Sequence, residues 1–96
     1  MTQEYLVGEF SVRLEMLQAA SSAAEGAAVG KLRREVEEHP PGWLGPAMVR
    51  ALAIADGLCW DSLSCGDLTA FDRQARAGAE LRDFGVCAGL LVEEES

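Results

Sequence analysis

The chain has 96 residues, enough for a single domain with one hydrophobic core. Its 16 acidic and 8 basic residues give a formal net charge of −8, which argues against nucleic acid or an anionic membrane surface as a partner and favours a basic or neutral protein. The N-terminus has no basic segment followed by an apolar run, and no window is apolar enough to span a membrane, so we expect a cytoplasmic protein.

The first predicted helix covers about residues 3 to 20. One set of apolar residues recurs at helical spacing and predicts a stripe that faces the core: Leu6, Phe10, Leu14 and Leu17. On the opposite side, Tyr5, Val12 and Met16 form a second, thinner apolar line, here called the N-terminal stripe. A monomer would leave this stripe in contact with water, so it is a candidate surface for self-association.

The second predicted helix begins at a capping box. Ser22 is followed three residues later by Glu25, the spacing at which each side chain bonds the other residue's backbone N–H. Three apolar residues then share one face: Val29, Leu32 and Val36. Pro40 and Pro41 end the helix, because the residue before a proline is disfavoured in the helical conformation.

The third predicted helix, residues 45 to 64, is apolar around most of its circumference, which predicts a central helix surrounded by the others. Asp56 is the exception, since its position places it on the apolar side. A buried carboxylate needs a partner, such as Arg50 or Arg82, or a ligand. Two interpretations stay open: an internal polar contact that fixes the helix register, or the floor of a small pocket beside Trp60.

A tight turn separates the third helix from the fourth. Gly66 is suited to end one helix and Asp67 to cap the next, so we predict a long antiparallel hairpin. The expected inward stripe of the fourth helix consists of small and apolar residues: Leu68, Phe71, Ala75, Gly78 and Ala79.

Beyond Arg82 the apolar residues spread to the face that was polar before it. Phe84, Cys87 and Leu91 lie on that face and predict a second contact surface, here called the C-terminal line. The acidic tail, residues 93–96, is expected to be frayed and solubilising.

The sequence contains no pattern typical of a catalytic or metal site. Cys59, Cys65 and Cys87 are odd in number and lie in predicted helices, which favours reduced thiols over disulfides. No metal-ligand spacing and no phosphate-binding or nucleophile motif occurs in a suitable context. We therefore expect neither a cofactor nor a metal ion, and no enzymatic activity.

Two segments, VRALAIADGLCWDSLSCGDLTAF and ELRDFGVCAGLL, carry a resemblance to known proteins. Over residues 47 to 92 and part of the first helix, the chain resembles small uncharacterised helical proteins of high-GC actinobacterial type. The resemblance implies an intracellular all-helical fold and carries no activity with it.

These observations predict an all-α fold: one domain, residues 1–96, shaped as a four-helix bundle with a long hairpin of the third and fourth helices. The function expected first is a non-enzymatic cytosolic protein–protein interaction module, a homodimer formed through the N-terminal stripe and the C-terminal line. One alternative is a small acidic regulator or immunity-type inhibitor that masks a basic partner. Another is a small-molecule sensor with a pocket near Trp60 and Asp56.

Overall fold

A computed structural model describes residues 3–38 and 44–90 of the chain. These residues form four α-helices: α1 (Gln3–Ala19), α2 (Ala23–Glu38), α3 (Leu44–Cys65) and α4 (Leu68–Cys87). The all-α prediction with four helices is confirmed. Leu91 and the acidic tail, residues 93–96, lie outside the described residues.

Local sequence signals set two of the helix boundaries. The Ser22 hydroxyl accepts from the Glu25 backbone N–H at 3.3 Å, and the Glu25 carboxylate accepts from the Ser22 N–H at 3.2 Å, which completes the predicted capping box. The Asp67 carboxylate accepts from the Ala70 N–H at 3.1 Å at the start of α4. Gly66 turns the chain with a φ of +78°, a conformation that residues with a Cβ rarely adopt.

The helices form an up-down-up-down arrangement in which each contacts its sequence neighbours and α4 returns to α1. α1 runs antiparallel to α4, because Phe10 meets Phe84 at one end and the Ala20 carbonyl meets Gln74 at the other. α2 and α3 are joined by an ion pair between Glu35 and Arg50 at 2.7 Å. α1 and α3 lie across the diagonal and touch little.

One continuous hydrophobic core lies between the helices. Both predicted core stripes of the first half of the chain are buried in it. These are Leu6, Phe10, Leu14 and Leu17 of α1, and Val29, Leu32 and Val36 of α2. From α3 come Leu44, Ala47, Met48, Ala51, Ala55 and Leu58. The two amphipathic faces of α1 and α2 therefore behave as their periodicity predicts.

The expectation that α3 is surrounded by other helices is wrong. The fold measures 40 × 34 × 16 Å, and the shortest dimension has room for only two layers of helices at the usual separation of about 8–10 Å. α3 packs on α4 and α2 and turns its remaining face to water. Trp60 is 69% exposed and Val49 is 59% exposed on that face.

The predicted inward stripe of α4 is also wrong, because the helix is rotated about its axis. The residues that α4 buries are Gln74, Ala77, Leu81, Phe84 and Gly85, whereas Leu68 of the expected stripe is 65% exposed. Gln74 can face the core because both ends of its amide are bonded. Its Oε1 accepts from the Ser62 hydroxyl at 2.6 Å, and its Nε2 donates to the Ala20 carbonyl at 3.2 Å.

Candidate functional site

A groove runs along the outer surface of the α3–α4 hairpin. It consists of two adjoining depressions with volumes of about 340 and 250 Å³ that share Asp56, Cys59 and Phe71. The α3 side adds Leu52, Ala55, Trp60 and Leu63, and the α4 side adds Gln74, Ala75, Gly78, Ala79, Arg82 and Asp83. We call this set the groove. Most of its lining is apolar or small.

The floor of the groove is narrow because α3 and α4 approach closely there. A Cβ placed on Gly78 would lie 3.4 Å from the Ala55 Cβ, which is an ordinary van der Waals contact. Ala75 and Ala79 are exposed on either side of this level, so no large side chain of α4 stands between the groove and water. A partner backbone can therefore approach both helices at once.

The α3 side of the groove is a largely apolar ridge, in which Val49 and Leu63 are exposed and Leu52 and Cys59 are half-buried. Val49, Leu52, Asp56, Cys59 and Leu63 follow one another at intervals of three and four residues, which places them along one face of the helix. From Val49 to Leu63 this face extends for about 21 Å at 1.5 Å per residue. The spacing by itself predicts a buried face, because the sequence of α3 is apolar around most of the helix.

Asp56 is exposed at the centre of this ridge, which corrects the expectation that it points into the core. Within residues 3–38 and 44–90 it takes part in no salt bridge shorter than 4 Å. Arg50, one predicted partner, is paired with Glu35 at 2.7 Å. Arg82 lines the same groove but lies about one helical turn from the level of Asp56, because that level is set by the Ala55–Gly78 contact.

Cys59 lies next to Asp56 in the groove. Partial burial, and secondly the negative charge of Asp56, raise the pKa of the Cys59 thiol above its usual range. The thiol is therefore protonated at neutral pH and contributes to the groove as a small apolar group. Nothing in this arrangement activates it as a nucleophile.

The chain matches no protein-family model, and no curated protein or solved structure is significantly similar to it. Its function must therefore be argued from its own surfaces. Among the described residues, no group of three His, Cys, Asp or Glu side chains could hold a metal ion. Within the same part of the chain, every helix is too short or too polar to cross a membrane.

The N-terminal stripe lies on the exposed side of α1. Tyr5 is 53% exposed, Val12 is 54% exposed and Met16 is 45% exposed. Met16 also borders a shallow depression between α1 and α4 that Arg73 and Arg76 line from the other side. The stripe is thus available for contact, and its role in self-association stays a prediction.

The C-terminal line does not form one surface. Phe84 is buried against Phe10, with ring centroids 6.1 Å apart, and the Arg13 guanidinium covers its ring at 4.7 Å. Cys87 is exposed, and Leu91 lies outside the described residues. Phe84 is consequently a core residue, because α1 packs over the face of α4 that the sequence pattern predicts to contact a partner.

Proposed function

We propose that the chain is a non-enzymatic interaction module that binds an amphipathic helix of a partner protein in the groove between α3 and α4. The observation that carries the proposal is Trp60, whose side chain is 69% exposed beside an apolar groove. Large exposed apolar patches on small proteins are typical of binding sites, and tryptophan is enriched among the residues that dominate binding energy.

The dimensions of the exposed surface favour a helix over a small molecule. A small ligand is normally enclosed, with about 70–90% of its surface buried in a cavity. Here the apolar residues continue beyond the groove to Val49, along about 21 Å of helix. A partner helix laid along α3 would cover the whole ridge, whereas a small ligand beside Trp60 and Asp56 would leave much of it exposed.

The acidic residues of α2 are a poor candidate for the masking surface of an acidic regulator. Glu35 is bonded to Arg50 at 2.7 Å, and Glu37 accepts from the Ser11 hydroxyl at 2.8 Å. Charge reversal at these positions would disturb contacts between helices as well as any binding. A basic partner is better sought at the groove, where the carboxylate of Asp56 forms no salt bridge with any residue in the described part of the chain.

Self-association through the N-terminal stripe is a separate part of the proposal. It rests on the exposure of Tyr5, Val12 and Met16, and it involves a different side of the molecule from the groove. We also propose a cytoplasmic location, because Cys59 and Cys87 are free and reduced thiols persist in that compartment.

The proposal is tested by selection from a displayed peptide library. The library holds helices of about 18 residues, or about 27 Å, in which every position is randomised and apolar residues are only favoured, not fixed, at spacings of three and four. The folded protein is the target, and selected clones are compared on two variants. Trp60→Ala removes the exposed ring, whereas Leu68→Ala removes an exposed apolar side chain outside the groove.

We expect clones that bind the wild type and Leu68→Ala equally and that lose at least about tenfold in affinity on Trp60→Ala, or about 1.4 kcal/mol. Both side chains are largely exposed, so neither variant should change the free energy of unfolding by more than about 0.5 kcal/mol. Selection of clones that bind all three proteins equally, or of no helical clones, contradicts the proposal.

A further inference from the structure

The carboxylate of Asp56 lies in the middle of an otherwise apolar ridge. Leu52 and Cys59 flank it on α3, and the small residues Gly78 and Ala79 of α4 line the same depression. Covering this surface would remove the carboxylate from water, which costs free energy unless a new polar contact replaces the water. Whatever covers the ridge must therefore provide Asp56 with a hydrogen-bond donor or an opposite charge.

Among residues 3–38 and 44–90, no side chain provides that charge. Within the described ranges Asp56 has no salt-bridge partner, and Arg50 is held by Glu35. The charged residues that line the groove are Asp56, Asp83 and Arg82, so the acids outnumber the bases there. This excess of acidic residues has the same sign as the formal net charge of the whole chain, which is −8.

The same charges argue against a second copy of this chain as the occupant. A twofold axis through the ridge would place Asp56 opposite its counterpart or opposite the apolar residues around it. In the first case two like charges meet, and in the second each carboxylate is covered without a donor. A basic partner avoids both costs.

From these observations, and resting on the proposed function of the groove, we propose that its occupant is a basic amphipathic helix whose apolar face carries a lysine or arginine that pairs with Asp56. The small floor formed by Ala55, Ala75 and Gly78 lets the backbone of this helix approach α3 and α4. The ridge has room for about four turns, with apolar side chains before and after the cation. Trp60 packs beside it.

The surrounding charges make the pairing specific. Arg82 lies about one turn from Asp56 and would repel a second cation there, so the basic residue of the partner is confined to one level of the groove. Binding should weaken as salt is added, since the charges at the rim are open to solvent and are screened.

The experiment uses the selected helical clones and one matched pair of variants. Asp56→Asn removes the charge at the centre of the ridge and keeps the shape of the side chain. Asp61→Asn makes the same change of charge on the same helix, at an exposed residue that does not line the groove. Libraries are selected separately on the wild type and on each variant, and the apolar faces of the enriched clones are sequenced.

We expect lysine or arginine to be enriched at one position of the apolar face on the wild type and on Asp61→Asn, and not on Asp56→Asn. For a single peptide, replacing that cation by glutamine should weaken binding to the wild type by about three- to tenfold and leave binding to Asp56→Asn unchanged.

Two outcomes overturn this inference and leave the proposed function intact, and two others refute the proposed function itself. Clones that need Trp60 but carry no central cation leave the groove as a helix site and refute the pairing. Equal enrichment of the central cation on Asp56→Asn and on the wild type would show that basic helices are attracted by the total charge of the protein and not by Asp56. Sedimentation that gives a wild-type dimer and a Trp60→Ala monomer assigns the groove to a second copy. Clones that do not need Trp60 refute the proposed function itself.

Discussion

Gln74 offers the most direct test of how the helices are held together. Its amide is 1% exposed and connects three parts of the chain: α4, Ser62 of α3 and the carbonyl of Ala20 at the end of α1. We consider Gln74→Met, because methionine is unbranched and of similar volume, so the change removes both hydrogen bonds without opening a large cavity.

Each of the two hydrogen bonds contributes about 1 kcal/mol net to stability, which gives an expected loss of about 2 kcal/mol. For a domain of this size the melting temperature should fall by about 8–16 °C. The free energy of unfolding is measured by urea titration with circular dichroism. The dependence of that free energy on urea should stay unchanged, because the surface exposed on unfolding is nearly the same.

A double-mutant cycle with Ser62→Ala separates the two bonds of Gln74. Ser62 is 8% exposed, and its hydroxyl loses its acceptor when the amide is removed. The double variant should therefore be more stable, by about 1 kcal/mol, than the sum of the single changes indicates. The reasoning is refuted if Gln74→Met is as stable as the wild type, or if the two changes add without coupling.

Three further predictions concern the Cys59 thiol, the Asp67 cap of α4 and the N-terminal stripe. Cys59 should react with iodoacetamide more slowly than the exposed Cys87, because the raised pKa of Cys59 leaves little of it as thiolate. Asp56→Asn should speed the reaction of Cys59 a few-fold. An unchanged rate would show that the charge of Asp56 does not act on the Cys59 thiol. Asp67→Ala should lower the free energy of unfolding by about 1 kcal/mol, since the Ala70 N–H loses its acceptor, and a denaturant titration that finds no loss contradicts the cap. Val12→Glu should convert a dimer to a monomer in sedimentation without loss of helicity, and a wild type that is already monomeric at micromolar concentration contradicts self-association.

Part of the candidate site could be recognised from the sequence. The sequence pattern identifies Asp56 and Trp60 as candidates, because one is an acid on an apolar face and the other is a large aromatic residue near it. Phe71 of α4 lines the same groove, whereas its spacing predicts a residue that faces the interior. Helical spacing identifies which residues share a face, but it does not indicate whether that face meets another helix or water.

The sequence by itself determined the features that depend on neighbours along the chain. The four helices, the capping box at Ser22 and the turn at Gly66 depend on residues a few positions apart, so local chemistry decides them. The core stripes of α1 and α2 followed because the apolar residues of each recur at helical spacing along one face, and in α1 this stripe is fuller than the second apolar line, which stays exposed.

Only the tertiary structure decided which face of α3 and of α4 is covered. Both helices have more apolar surface than two neighbours can bury, so several rotations satisfy the same pattern. The rotation adopted by α4 buries Gln74, a polar residue that is acceptable in the core only because Ser62 and Ala20, 12 and 54 residues away, bond to it. In the fold that results, Trp60 and Asp56 of α3 lie on the surface.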